Sequence, residues 1–204
     1  NILALVQNSL RRMLAYSSVA HSGYMAIALC AIGGVSVTVP QEAVLFYIVG
    51  YTVISIATFG ILMWLENDKK SNLDLDDIAG LASAHPWAAA GLAICMFGFA
   101  GMPPSVGFMA KFLVFSAALS NELYSLVVIG VIGSGISLFY YLRVIVRMYM
   151  SEGPVTPVLS PKRSLTTTIV VGLAAAASIL LGTVLTGPAL NASRRVNATE
   201  QPAE

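Results

Sequence analysis

The sequence predicts an all-α fold: a polytopic transmembrane helix bundle with one discontinuous, broken helix. Three observations predict it. First, 57% of the 204 residues are hydrophobic and the mean hydropathy is +0.80. Second, only 10% are Asp, Glu, Lys or Arg, against about 25% in an ordinary soluble domain. That is too little charge to cover a water-facing surface. Third, apolar runs of membrane-crossing length recur, and one apolar stretch is split by adjacent prolines. The composition excludes a soluble enzyme, a nucleic-acid binder and a disordered chain, the last of which needs low hydrophobicity. A net charge of +1 points to no partner, and the lipid bilayer is the surrounding it implies.

The elements follow in order. The first ten residues, Asn1-Ile2-Leu3-Ala4-Leu5-Val6-Gln7-Asn8-Ser9-Leu10, read as the end of a helix already under way. The chain is therefore expected to be the C-terminal portion of a longer protein. No charged start with a small-residue cleavage site marks a signal peptide. A crossing helix needs about 20 mostly apolar residues. Residues 13–35, 42–65, 123–150 and 165–190 meet that length. Residues 86–100 and 108–120 are apolar but short. At about 1.5 Å per residue each reaches roughly 20 Å, less than a hydrocarbon core of about 30 Å. Between them stands Gly101-Met102-Pro103-Pro104-Ser105-Val106-Gly107. Two prolines remove two amide donors and restrict their neighbours, so no regular helix passes. One crossing built from two half-helices, unwound near mid-membrane, is the economical solution, and a hairpin of two short helices is the alternative. Residues 1–190 then form a bundle of about five crossings, and residues 191–204 a polar tail.

The basic residues set the orientation. With five crossings, Arg11, Arg12, Lys69, Lys70, Arg143, Arg147, Lys162 and Arg163 fall on one side, and Arg194 and Arg195 on the other. The positive-inside rule makes the first side cytoplasmic and puts the C-terminus outside. The loop of residues 66–85 carries Asp74, Asp76 and Asp77 before Ile78, where acidic residues would complement the dipole of a short helix. It reads as a solvated connector or as a docking surface for a neighbour. Asn191-Ala192-Ser193 and Asn197-Ala198-Thr199 match the short glycosylation pattern. Cys30 and Cys95 lie in apolar runs and read as packing residues.

Lys111 is the most informative residue. It lies within Gly107-Phe108-Met109-Ala110-Lys111-Phe112-Leu113, one turn past the break. A charge at the centre of a bilayer helix costs about 2.5–3.5 kcal/mol on insertion scales, so the amine must face protein or a wet cavity. An amine in such a place can bind and release a proton reversibly, and a broken helix beside an ionisable group points to an ion site in transport proteins. The alternative is a lysine held for structure alone by the carbonyls freed at the break. Ser17, His21 and Tyr24 follow at i, i+4 and i+7, sharing one helix face. Histidine's ordinary pKa of about 6.5 suits a relay, and a hydrogen-bonded packing role is the other reading. Lys111, His21, Tyr24 and Ser17 are the candidate proton pathway. His85, before Pro86, reads as interfacial. Thr52, Ser55 and Thr58 form a polar line in the second span, and Ser134, Ser137 and Tyr141 one in the fourth; such stripes join membrane helices by hydrogen bonds or hold waters. The sequence offers no phosphate loop, no cysteine cluster for iron–sulfur and no histidine pair for haem. No cofactor or metal is expected in this chain.

Two segments carry a resemblance. Arg11-Arg12-Met13-Leu14-Ala15-Tyr16-Ser17-Ser18-Val19-Ala20-His21-Ser22-Gly23-Tyr24 and Gly101-Met102-Pro103-Pro104-Ser105-Val106-Gly107-Phe108-Met109-Ala110-Lys111-Phe112 resemble signatures of the antiporter-like membrane subunits of respiratory complex I, the proton-pumping NADH-quinone oxidoreductase. Tyr140-Tyr141-Leu142-Arg143-Val144-Ile145-Val146-Arg147-Met148-Tyr149 looks most like its bacterial subunit N branch. The resemblance extends to about residue 190. It implies the C-terminal part of a 14-helix proton-translocating subunit with two inverted repeats, set in a bacterial inner membrane beside other membrane subunits. It implies that NADH, FMN, iron–sulfur clusters and quinone belong to partner subunits. Lys111 matches the lysine of the second broken helix, at the end of the proton route, and His21 a position in the polar axis. Many relatives carry lysine where this sequence has Arg11. Arginine holds its proton at any physiological pH, so Arg11 is expected to bias a neighbour rather than relay. The buried glutamate and the first broken-helix lysine are expected upstream. A cation/proton antiporter subunit of the same superfamily and an inactive structural fragment are the competing readings.

Overall fold

The computed structural model describes residues 1–32, 39–66 and 72–151 and the single positions 172, 176, 180 and 182. The chain folds into α1 (Ile2–Leu5), α2 (Leu10–Cys30), α3 (Val39–Leu65), α4 (Leu81–Ala84), α5 (Pro86–Ala100), α6 (Val106–Ser120) and α7 (Tyr124–Met150). An isolated bridge between Ser9 and Asp74 joins two loops. The expected span 165–190, apart from those four positions, and the tail 191–204 lie outside the described residues, as do the basic residues at 69, 70, 162, 163, 194 and 195.

Helix α2 begins three residues before the apolar run because Arg11 and Arg12 sit in its first turn, exposed at the bundle's end. Its buried face is Leu10, Met13, Leu14, Ser17, His21, Tyr24, Ile27 and Ala28, the i, i+3, i+4 stripe of a half-buried helix. Helices α3 and α7 have 27 residues each, about 40 Å of rise, enough to cross a core of about 30 Å. Their outward faces carry exposed Leu45, Val49, Ile56, Ile129, Ile132 and Phe139, as lipid contact requires.

The two half-helices form one crossing. Helix α5 ends at Gly101, whose φ of 77° turns the chain out of the helix. The Gly101 amide donates to the Phe97 and Gly98 carbonyls, and the Met102 amide to Phe97. Pro103-Pro104 follows, joined by a cis peptide, and Ser105 then caps α6 by accepting from the Phe108 amide at 3.3 Å. This cap starts α6 two residues before the expected 108. The neighbours of α5 and α6 give the direction. Down α3, Thr58 meets Cys95, Tyr51 meets Phe99 and Gly50 meets Val106. On α7, Tyr141 meets Phe99, Ser134 meets Lys111 and Gly130 meets Phe115. Both antiparallel neighbours are read in one unbroken order, which a hairpin would reverse. At the joint the halves nearly touch: a Cβ on Gly107 would run into the Gly98 carbonyl.

One end of the bundle gathers the described arginines. Arg11 pairs with Glu66, Arg143 donates to the Gln7 carbonyl, and Arg147 lies 3.5 Å from Asp76. The stretch from 72 to 80 is not the solvated connector expected. Leu73, Leu75 and Ile78 are buried. Backbone bonds tie it to the rest: Leu10 to Leu73, Leu75 to Asn8, and Gly80 to Arg147. The short helix starts at Leu81, later than expected. Asp77 instead accepts from the Asp74 amide at 2.8 Å and closes a turn before it.

Candidate functional site

Lys111 is 5% exposed, in the second turn of α6. A helix leaves its last carbonyls without intrahelical donors. The end of α5 supplies two of these to the lysine: Nζ donates to the Phe99 carbonyl at 3.1 Å and the Ala100 carbonyl at 2.9 Å. Its third bond goes to Ser134 Oγ on α7 at 3.0 Å. An ammonium has three donors and no acceptor, and here three acceptors meet it. The partners are all uncharged. The negative end of the α5 dipole and the Tyr24 ring, with its centroid 5.2 Å from Nζ, favour the cation further. Gly101 makes the room, because a Cβ there would lie 2.9 Å from Lys111 Cδ and 3.3 Å from Nζ.

The His21 imidazole lies one helix turn below Tyr24 and is buried. Its Nδ1 lies 2.7 Å from Tyr47 Oη and its Nε2 3.0 Å from Tyr141 Oη. Tyr141 Oη is also hydrogen-bonded to Ser17 Oγ. Phe99 joins this cluster to the lysine. Its carbonyl holds Nζ, while its ring stacks on Tyr141 with centroids 5.6 Å apart and lies 5.4 Å from His21. Tyr24 faces the His21 ring edge-on at 5.8 Å, and its hydroxyl receives the Asn1 side-chain amide at 3.4 Å. Asn1 Oδ1 accepts in turn from Tyr140 at 2.9 Å.

The structure brings Lys111, His21, Tyr24 and Ser17 into one cluster at the break. Of the two polar lines, the one on α7 joins it through Ser134 and Tyr141. The one on α3 does not: Thr52 is exposed and Thr58 bonds its own Ile54 carbonyl. Helix α3 contributes Tyr47 instead, which the sequence reading missed, as it missed Phe99, Tyr140 and Asn1. The i, i+4 pair of Tyr47 and Tyr51 was the available signal. His85 is half-buried against Trp64, with ring centroids 5.5 Å apart. Arg11 sits at the basic end with Glu66, apart from Lys111. Cys95 is buried and Cys30 exposed. Among the described residues no group of His, Cys, Asp or Glu could hold a metal.

Residues 1–137 match the family described as NADH:quinone oxidoreductase/Mrp antiporter, TM. The chain belongs to this family. Members of the NADH:quinone oxidoreductase/Mrp antiporter family similar to it include NADH-quinone oxidoreductase subunit N 2 of Roseiflexus castenholzii, 44% identical over 155 residues, which are 74% of this chain and 31% of the relative. Subunit N of Chloroflexus aggregans is 41% identical over 184 residues, 90% of this chain and 37% of the relative. Among solved structures, a chain of respiratory complex I from Thermus thermophilus with bound aureothin superposes with a TM-score of 0.73 at 28% identity, covering 91% of this chain and 41% of that one. The chain spans about a third of the length of the curated relatives it matches. As a member of this family it is an integral, multi-pass membrane protein.

Proposed function

We propose that this chain carries the terminal proton-handling site of a membrane subunit of NADH:quinone oxidoreductase, with Lys111 as the group that loads and releases the proton. The observation that carries the reading is the saturation of Nζ by two helix-end carbonyls and one hydroxyl, with no carboxylate on it among the described residues. Such a cage holds the cation without neutralising it. A change of charge elsewhere along the membrane arm can then tip the proton on or off, because a nearby charge shifts an ionisation equilibrium by units and each unit is about 1.4 kcal/mol. Redox chemistry, with NADH, FMN, iron–sulfur clusters and quinone, belongs to partner subunits. The similarity to proteins named subunit N supports this over a stand-alone cation/proton antiporter. The basic end, with Arg11, Arg12, Arg143 and Arg147, faces the cytoplasm of a bacterial inner membrane, and the C-terminus lies outside.

Lys111→Ala in the assembled complex is the test. Proton translocation is expected to be abolished or strongly reduced, while native-gel assembly stays largely intact. An assembled mutant complex that pumps at the wild-type ratio rejects the role.

A further inference from the structure

The two nitrogens of His21 are met by tyrosines from two different helices, at two different heights in the bundle. Tyr47 approaches Nδ1 from α3 at 2.7 Å and Tyr141 approaches Nε2 from α7 at 3.0 Å. All three side chains are buried. Tyr47 shares a core cluster with Tyr24, Ala43, Ala110 and Val114, on the side where α6 runs toward its end at Ser120. Tyr141 stacks on Phe99 of α5 and bonds Ser17, one turn before His21 in α2, on the side that leads to Arg143 and Arg147. The imidazole therefore bridges the two halves of the bundle along its axis. A small cavity with room for about one water molecule borders His21, Tyr47, Tyr51 and Gly107.

We propose that Tyr47, His21 and Tyr141 form a relay that carries a proton along the bundle axis past the midplane, with Ser17 as its next member. The inference rests on the proton-handling reading of Lys111. In the neutral imidazole one nitrogen donates and the other accepts. With Nε2 protonated, Nδ1 takes the Tyr47 proton while water returns one to Tyr47 Oη. The Nε2 proton passes to Tyr141 Oη, the Tyr141 proton to Ser17 Oγ, and the Ser17 proton to water. One proton has moved and no member keeps a charge. The ring ends as the Nδ1–H tautomer, and the start is restored when water in that cavity takes the Nδ1 proton and gives one to Nε2.

Tyr47→Phe and Tyr141→Phe in the assembled complex keep both rings and remove only the hydroxyls. Each is expected to cut the rate of proton translocation about a hundredfold or more, the range that positioned proton transfer supplies, with assembly retained. The double variant is expected to be no worse than either single one, since the members act in series. His21→Gln, which still hydrogen-bonds but passes no proton across a ring, is expected to lose pumping equally. Wild-type pumping by both phenylalanine variants, or by His21→Gln, overturns the relay. Should neither tyrosine variant assemble, Ser17→Ala reads the same route, and its pumping at the wild-type ratio overturns the proposal. Failure here with Lys111→Ala still inactive removes the relay alone. Normal pumping by Lys111→Ala removes the reading beneath it.

Discussion

A single methyl group separates Gly101 from a collision with the amine it shelters. The added carbon would sit 2.9 Å from Lys111 Cδ and 3.3 Å from Nζ, and the backbone there has φ of 77°. Left-handed backbone costs an L-residue about 1–2 kcal/mol, and the collision pushes Nζ off the Phe99 and Ala100 carbonyls. Gly101→Ala is therefore expected to lower stability by about that amount and to drop proton translocation toward the level of Lys111→Ala. Gly23→Ala and Gly135→Ala, where the methyl meets nothing within 4 Å, are expected to leave both unchanged. Thermal melting of the complex and proton-to-electron ratios check the set. Lys111 and His21 were legible in the sequence because a charge or an imidazole inside an apolar run has few reasons to be there. Phe99 was not, because it acts through a backbone carbonyl that every residue has. Tyr47 was not, because an aromatic on a helix face reads as core until its hydroxyl has a visible partner.

At the scale of the element, the broken helix sets two opposite helix ends close together. The C-terminus of α5 leaves carbonyls free and the N-terminus of α6 leaves amides free. Lys111 takes up the carbonyls and Ser105 caps one of the amides. The arrangement depends on how closely the halves lie, and Gly107 against the Gly98 carbonyl sets that distance. Gly107→Val is expected to force the halves apart and destabilise the bundle by about 1–3 kcal/mol, the usual cost of overpacking. Met102→Ala, at an exposed joint residue, is expected to cost far less. Melting temperature and the yield of assembled complex distinguish them. A Met102→Ala effect as large as that of Gly107→Val would mean that the joint's conformation, not the close approach, governs stability. The break itself was plain in the sequence, since two prolines forbid a through-going helix. The tightness of the joint was not, because a glycine marks freedom without saying which atom approaches it.

At the scale of the molecule, the four crossings among the described residues alternate, and the ends they reach are chemically unlike. Arg11, Glu66, Asp76, Arg143 and Arg147 share one end, while the turn from Ser120 to Tyr124 that joins α6 to α7 lies at the other. The charge count across the sequence was enough to foresee this. It could not foresee how the 72–80 stretch folds under the bundle, because that docking runs through backbone hydrogen bonds to Asn8, Leu10 and Arg147, which carry no residue signature. Sidedness is testable with two cysteines in a Cys30→Ser background. The Asp76 side chain is 85% exposed in its pair with Arg147, and an exposed ion pair contributes little, so Asp76→Cys is expected to fold normally. Ser120→Cys replaces an exposed hydroxyl at the end of α6 with a near-isosteric thiol. A membrane-impermeant thiol reagent applied to intact spheroplasts is expected to label position 120 and to reach position 76 only after the membrane is opened. The reverse pattern would place the basic end outside. It would turn the Tyr141 branch of the cluster toward the outer face and the Tyr47 branch toward the cytoplasm, reversing the sense in which any proton crosses.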